Sequence, residues 1–216
     1  MGGVGGPGSR GAAGSATGTA AGDGAAVLIA LVRHGETAWT EAGRVQGHND
    51  VPLSPAGLSQ AEALGCRLAG QKWDALYTSP LTRARQTAAA IAAQTGLEPV
   101  VEDGLIERDM GALSGLTADE VRARFTPESR IPGLESRADV ERRAFAALAA
   151  IARRHPGGRV VAVSHGALIN AVLRALGSAS ATDAALPTQV RVATGSVNLV
   201  ECRGDAVTLV AAAGAC

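Results

Sequence analysis

Short apolar runs alternate along the chain with longer stretches in which apolar residues recur every three or four positions. Val27 to Val32 is an unbroken apolar run that ends in polar residues, the pattern of a strand buried on both faces. Ser54 and Pro55 then read as the N-cap and first residue of a helix running to Ala69 and closed by Gly70. A second strand is predicted from Trp73 to Thr78, a helix from Ser79-Pro80 to Thr95 with Gly96 as its C-cap, and a third strand from Pro99 to Val101. Thr117 opens a short helix with a capping pattern completed by Glu120. Arg137 to His155 is a long Ala-rich helix stopped by Pro156-Gly157-Gly158. Arg159 to Ser164 is another buried strand, and Ala167 to Leu176 another helix. Late strands are predicted at Val190–Val192, Ser196–Glu201 and Val207–Ala211, the last two joined by a turn at Arg203-Gly204-Asp205. Strands that alternate with helices predict an α/β fold, three layers deep, around a mostly parallel sheet.

Residues 1–26 break the pattern: almost all are Gly, Ala, Ser or Thr. Such a segment buries too little apolar surface to offset its ordering entropy, so a disordered tail is expected before one folded domain over 27–216. Only 2% of the residues are aromatic, so few platforms exist for stacking bases. The formal charge is balanced, 20 basic against 20 acidic residues, and no basic excess points to nucleic acid or to an anionic membrane. Any anion site must therefore be local, built by a few converging arginines. No apolar run is long enough to span a bilayer, and neither a secretory leader nor a myristoylation pattern is present. Cys66, Cys202 and Cys216 show no paired spacing, so zinc and disulfides are not expected, and the thiols suit the cytoplasm.

Two of the predicted strands end alike. The first runs into Arg33-His34-Gly35-Glu36-Thr37 and the later one into Ser164-His165-Gly166-Ala167. Ligand sites in open α/β sheets lie beyond the carboxyl ends of the strands, so neighbouring strands would bring the two imidazoles together. The turn after a third strand supplies Arg83, and a central loop supplies Glu107. Two histidines, two arginines and a carboxyl group suit phosphoryl transfer. Arginine grips phosphate through a planar fork of donors. A neutral imidazole can attack phosphorus and divide one hard displacement into two easier ones. A carboxylic acid can protonate the leaving alkoxide. Glycine after His34 is expected to allow a tight turn. Glu102 and Asp109 compete with Glu107 for the acid role; the spacing to Gly111 favours Glu107. His48, in a polar loop, and His155, at a helix end, read as structural, and Arg85 as a surface residue.

The chain resembles the histidine phosphatase superfamily, the phosphoglycerate mutase-like fold, in several motifs that follow one another in the family's order. These are Arg33-His34-Gly35-Glu36-Thr37, Gln46-Gly47, the Pro52-Leu53-Ser54 segment, Ser79-Pro80-Leu81-Thr82-Arg83-Ala84, Glu107 with Gly111, and Ser164-His165-Gly166. The resemblance implies that His34 is the phosphorylated nucleophile and that Arg33, Arg83 and His165 surround the phosphate. It implies that Glu107 is the general acid and then the base that activates water. Gln46 and Gly47 would line the site, and backbone amides at Gly166 or Ala167 would add anion donors. Many members carry Asn after the Trp that follows the signature; here Thr40 follows Trp39 and takes its place as a phosphate contact. No metal and no organic cofactor is implied. The implied partner is a small-molecule phosphate ester. Many such domains pair as homodimers, though nothing in this sequence marks an interface.

Phosphatase and mutase remain to be separated. Family mutases carry a longer, basic insertion between the acid and the second histidine; here Arg108 to Ser164 is compact, and Ile106-Glu107-Arg108-Asp109-Met110-Gly111 resembles the broad-specificity bacterial phosphatases. Met110, Leu113, Leu116, Ile131 and Leu134 suggest an apolar lining that would accept an apolar leaving group. A non-catalytic phosphate-binding module is the rival class, and it would have no need of His34 and Glu107 together.

Overall fold

The computed structural model describes residues 1–3, 24–126, 129–177 and 192–212. Most of the expected tail, the strand expected at Val190–Val192 (except Val192) and Cys216 lie outside the described residues. Six strands form one sheet: β1 (Val27–Arg33), β2 (Ala75–Thr78), β3 (Pro99–Val101), β4 (Arg159–Ser164), β5 (Val197–Arg203) and β6 (Ala206–Ala212). Their order is β3-β2-β4-β1-β5-β6. The first four are parallel to one another, and β5 and β6 close one edge as an antiparallel hairpin. The helices are α1 (Ala38–Glu41), α2 (Pro55–Ala69), α3 (Thr82–Thr95), α4 (Ala118–Arg124), α5 (Arg137–Arg154) and α6 (Gly166–Ala175).

The apolar runs of β1 and β4 are buried on both faces, which gives the fold two cores. On one face Ala30, Val32, Val161 and Val163 meet Leu64 and Leu68 of α2 and Ala84, Ala88 and Ile91 of α3. On the other, Ile29, Leu31, Val160 and Ala162 meet α5 and α6 through Ala144, Leu148, Ile151, Leu168 and Val172. Alanine makes up much of the inner face of α5, at Ala144, Ala147, Ala149 and Ala152. The sequence thus settles on an α/β/α sandwich.

β1 and β4 are neighbours, with Arg33 opposite Ser164 in the ladder. The chain leaves β1 toward the α2–α3 face and leaves β4 toward the α5–α6 face. The sheet therefore divides at its carboxyl edge between these two strands, the place where such sheets open a crevice for ligands.

Several element boundaries moved. Trp73 is not in β2: its ring is buried, its Nε1–H donates to the Leu68 carbonyl at 2.9 Å, and Arg159 lies 5.0 Å over its face. α3 starts at Thr82 rather than at Ser79, because Asp50 from a distant loop caps it, accepting from the Thr82 amide at 2.6 Å and from its hydroxyl at 2.7 Å. Among the described residues no helix is long and apolar enough to cross a membrane.

Candidate active site

His34 directly follows β1 and His165 directly follows β4, so the paired strand ends deliver the two imidazoles side by side. Their ring centroids are 5.1 Å apart, edge to face. The His34 amide donates to the Ser164 carbonyl at 3.0 Å, which extends the ladder by one bond and fixes the first ring's position. Both histidines are buried.

The backbone after His34 is held against α2. A Cβ on Gly35 would stand 2.5 Å from the Gly57 carbonyl oxygen, and one on Gly57 would stand 1.9 Å from that of Glu36. Gly35 is therefore required for contact with a helix and not for a left-handed turn; no positive φ occurs there. Glu36 braces the same segment: its amide donates to Gln60 at 2.9 Å, and its carboxylate accepts from Ser54 at 3.0 Å.

A carbonyl can only accept, so the 2.6 Å contact between Nδ1 of His34 and the Gly35 oxygen assigns the proton to Nδ1. Nε2 keeps its lone pair and faces Arg83, whose Nε lies 3.3 Å away. Burial, then the positive charges of Arg33 and Arg83, hold His34 well below the usual imidazole range, against a smaller opposing effect of the Gly35 bond. The ring is accordingly neutral at neutral pH. His165 is depressed in the same direction, by burial first and then by Arg83, His34, Arg33 and Arg143.

Arg83, on the first turn of α3, is fully buried and donates to the carbonyls of Asn49 and Gly47, each at 2.8 Å. It thus anchors the loop after the signature as well as facing His34. Gly47 needs its positive φ of 53° here, and a Cβ on it would stand 3.0 Å from Met110 and from the Ser114 hydroxyl. Arg33 donates to the Val192 carbonyl, while its Nε is buried with no partner. Nδ1 of His165 is likewise buried without a partner. Two unpartnered buried nitrogens at one cluster mark a place prepared for a group from outside.

Glu107 is buried at the far side of the cluster. Its carboxylate accepts from the amides of Arg108 at 2.9 Å, Leu168 at 3.2 Å and Ala167 at 3.3 Å. This corrects the expectation for α6: the Ala167 amide serves the protein's own carboxylate, because Glu107 reaches the positive end of the helix first. Gly166 remains at the cavity wall. Glu102 pairs instead with Arg154 at 3.3 Å, and Asp109 is half exposed, so neither competitor reaches the site.

A cavity of about 420 Å³ opens beside these groups, lined by Arg33, His34, Thr40, Gln46, Gly47, Glu107 and Gly166 among others; the fully buried Arg83 and His165 are not part of its wall. Thr40 reaches the wall, but its hydroxyl donates to the Thr37 carbonyl and accepts from the Thr37 amide, both at 2.8 Å. It closes the capping box of α1, so its proton is not free for phosphate. Gln46 accepts from the Thr37 hydroxyl at 3.1 Å. Of the apolar residues expected to line the site only Met110 does so. Leu113 is fully buried, and Leu116, Ile131 and Leu134 pack with it and Val121 in a small separate core. The hint of an apolar leaving group therefore falls.

One participant was not visible in the sequence. His48 donates from Nε2 to the Glu107 carbonyl at 2.7 Å, linking the loop gripped by Arg83 to the segment that carries the acid. Arg85 is exposed on the outer side of α3, as expected. Among the described residues no group of three His, Cys, Asp or Glu could hold a metal.

A family model of the histidine phosphatase superfamily, branch 1, matches residues 29–213. The chain belongs to this superfamily. It is an enzyme of the phosphatase kind, with the phosphoglycerate mutase-like fold. It is 37% identical over 178 residues to the metal-independent phosphoserine phosphatase of Arabidopsis thaliana, covering 76% of this chain and 74% of that protein. It is also 37% identical over 158 residues to the probable phosphoglycerate mutase GpmB of Yersinia pestis, covering 68% and 74%. A solved structure of mycobacterial glucosyl-3-phosphoglycerate phosphatase with VO3 superimposes with a TM-score of 0.70 at 28% identity, covering 80% of this chain and 90% of that one.

Proposed function

We propose that this protein is a cytoplasmic, metal-independent phosphatase that hydrolyses a small-molecule phosphate monoester through a phosphohistidine on His34. One observation carries the reading: the buried neutral ring of His34 keeps its Nε2 lone pair beside Arg83, in a cavity that also holds Glu107. In the first displacement Nε2 attacks phosphorus and the P–O bond to the leaving group breaks. The protonated carboxyl of Glu107 gives its proton to the departing alkoxide. In the second, Glu107, now a carboxylate, takes a proton from water as that water attacks the phosphohistidine. The P–N bond breaks, inorganic phosphate leaves, and Nε2 regains its lone pair.

Arg33, Arg83 and His165 hold the equatorial oxygens, where charge is spread in the transition state. Gln46, Gly47 and the Gly166 amide complete the phosphate cradle. Thr40 and Ala167 support it indirectly, through the capping box and through Glu107. Relatives named for phosphoserine and for glucosyl-3-phosphoglycerate support a substrate whose phosphate sits on a small polar molecule. The relative named as a probable mutase supports a mutase as the second reading.

The test is phosphate release from phosphoserine, 3-phosphoglycerate, sugar phosphates and para-nitrophenyl phosphate, with a chelator present, for the parent and His34→Ala. Release by the parent and its loss by about 10³-fold or more in the variant is expected. Full activity in His34→Ala would end the phosphohistidine reading. Isomerisation of 3-phosphoglycerate primed by 2,3-bisphosphoglycerate, with no net release, would establish the mutase.

A further inference from the structure

Ser79 lies at the end of β2, between Thr78 and Pro80, and is wholly buried. Its amide continues the ladder to the Val163 carbonyl at 3.0 Å. Its hydroxyl oxygen accepts from the Leu81 amide at 3.3 Å and lies 2.7 Å from Nε2 of His165. A hydroxyl carries one proton, and this one has no other acceptor among the described residues. The proton therefore goes to Nε2. A neutral imidazole that accepts at Nε2 bears its own proton on Nδ1. That nitrogen is buried and unpartnered, in a ring set edge to face with His34.

We propose that Ser79 is a positioning residue of the site: its hydroxyl donates to Nε2 of His165, fixes the proton on Nδ1, and so makes that ring a donor to the phosphoryl oxygens. The two imidazoles then carry the same tautomer to opposite ends. His34, bonded through Nδ1 to a carbonyl, offers a lone pair. His165, bonded through Nε2 to a hydroxyl, offers an N–H. The alternative tautomer of His165 would place a lone pair against the incoming anion and leave the Ser79 proton buried without an acceptor, two penalties at once. The role in turnover rests on the phosphohistidine reading; the tautomer does not.

The experiment is nitrogen-15 NMR of the histidine side chains in the parent, Ser79→Ala and Ser79→Thr, paired with steady-state kinetics. In the parent, His165 is expected to show a protonated Nδ1 and an unprotonated Nε2. In Ser79→Ala this preference is lost, and kcat falls about 10- to 100-fold with KM changed far less, because the donor acts on the phosphoryl group in transit. Inhibition by orthovanadate weakens more than inhibition by phosphate, and Ser79→Thr restores the tautomer and most of kcat. A protonated Nε2 in the parent overturns the proposal whatever the kinetics. An unchanged tautomer in a folded Ser79→Ala overturns the role of Ser79. If no phosphate ester is turned over at all, the function above fails while the NMR result still decides this inference.

Discussion

Three backbone amides converge on Glu107, and that decides how its replacement should behave. A glutamine would turn an NH2 toward at least one of the donors at Arg108, Ala167 or Leu168, and it would carry no proton to give. Esters with poor leaving groups need that proton and should lose about 10²- to 10⁴-fold in kcat/KM in Glu107→Gln. para-Nitrophenyl phosphate departs without help and should lose far less. The check is a series of esters spanning leaving-group acidity: a steeper dependence in the variant supports the role, and parallel losses would assign the acid elsewhere. The meeting of His34, His165, Arg33 and Arg83 was legible in the sequence because each sits in a run that ends a strand or opens the next element, and Glu107 was legible by its spacing to Gly111. His48 was not, because its bond to the Glu107 carbonyl joins positions far apart in the chain, and a polar loop gives no sign of it. Thr40 misled for the opposite reason: its neighbours in sequence announce a phosphate contact, while its hydroxyl closes a local capping box.

Among the elements, α5 does most to hold the acid in place. Arg143, on its second turn, forks onto Glu135 at 2.7 and 3.0 Å. The same guanidinium reaches the carbonyls of Gly104 at 3.1 Å, Ile106 at 2.6 Å and Glu107 at 2.9 Å. Glu135 returns to the same strip by accepting from the Asp109 amide at 3.1 Å. One planar cation thus fixes the segment from 104 to 109. Lysine has the charge but not the fork, so Arg143→Lys should cost about 2 kcal/mol of stability, since these partners are mostly screened from water. It should also lower kcat by about tenfold or more while leaving phosphate binding nearly intact. Urea midpoints and a kcat–KM split measure both; unchanged kcat in a destabilised variant would make Arg143 merely structural. The helices themselves were legible where a local signal exists, as in the Ser54-Pro55 start of α2 and the Thr117–Glu120 box of α4. The start of α3 was not, because its cap is Asp50 from another loop, and the four-residue α1 is too short to show a period.

For the molecule as a whole, folding buries two neutral imidazoles at the middle of a sheet edge, and the consequence is a pH dependence of stability. The unfolded chain protonates them near the ordinary value of about 6.5. The folded protein holds both well below it, chiefly by burial. Between those values the unfolded state binds more protons, so stability is fully present above about pH 6.5 and is lost as pH falls. The loss ends only where the folded rings themselves protonate. Each ring adds a slope of about 1.4 kcal/mol per pH unit in that window. Removing one of them in His34→Ala should therefore flatten the profile below about pH 6.5, by up to about that much per unit. The carboxylates and the histidines remote from the site are common to both proteins and cancel in the difference, while His165, in ring contact with His34, adds a smaller change of its own. Urea unfolding of the two proteins at half-unit steps measures it. Equal slopes would mean that His34 titrates alike in the folded and unfolded chains, and would overturn the reading that burial in this site holds the ring neutral.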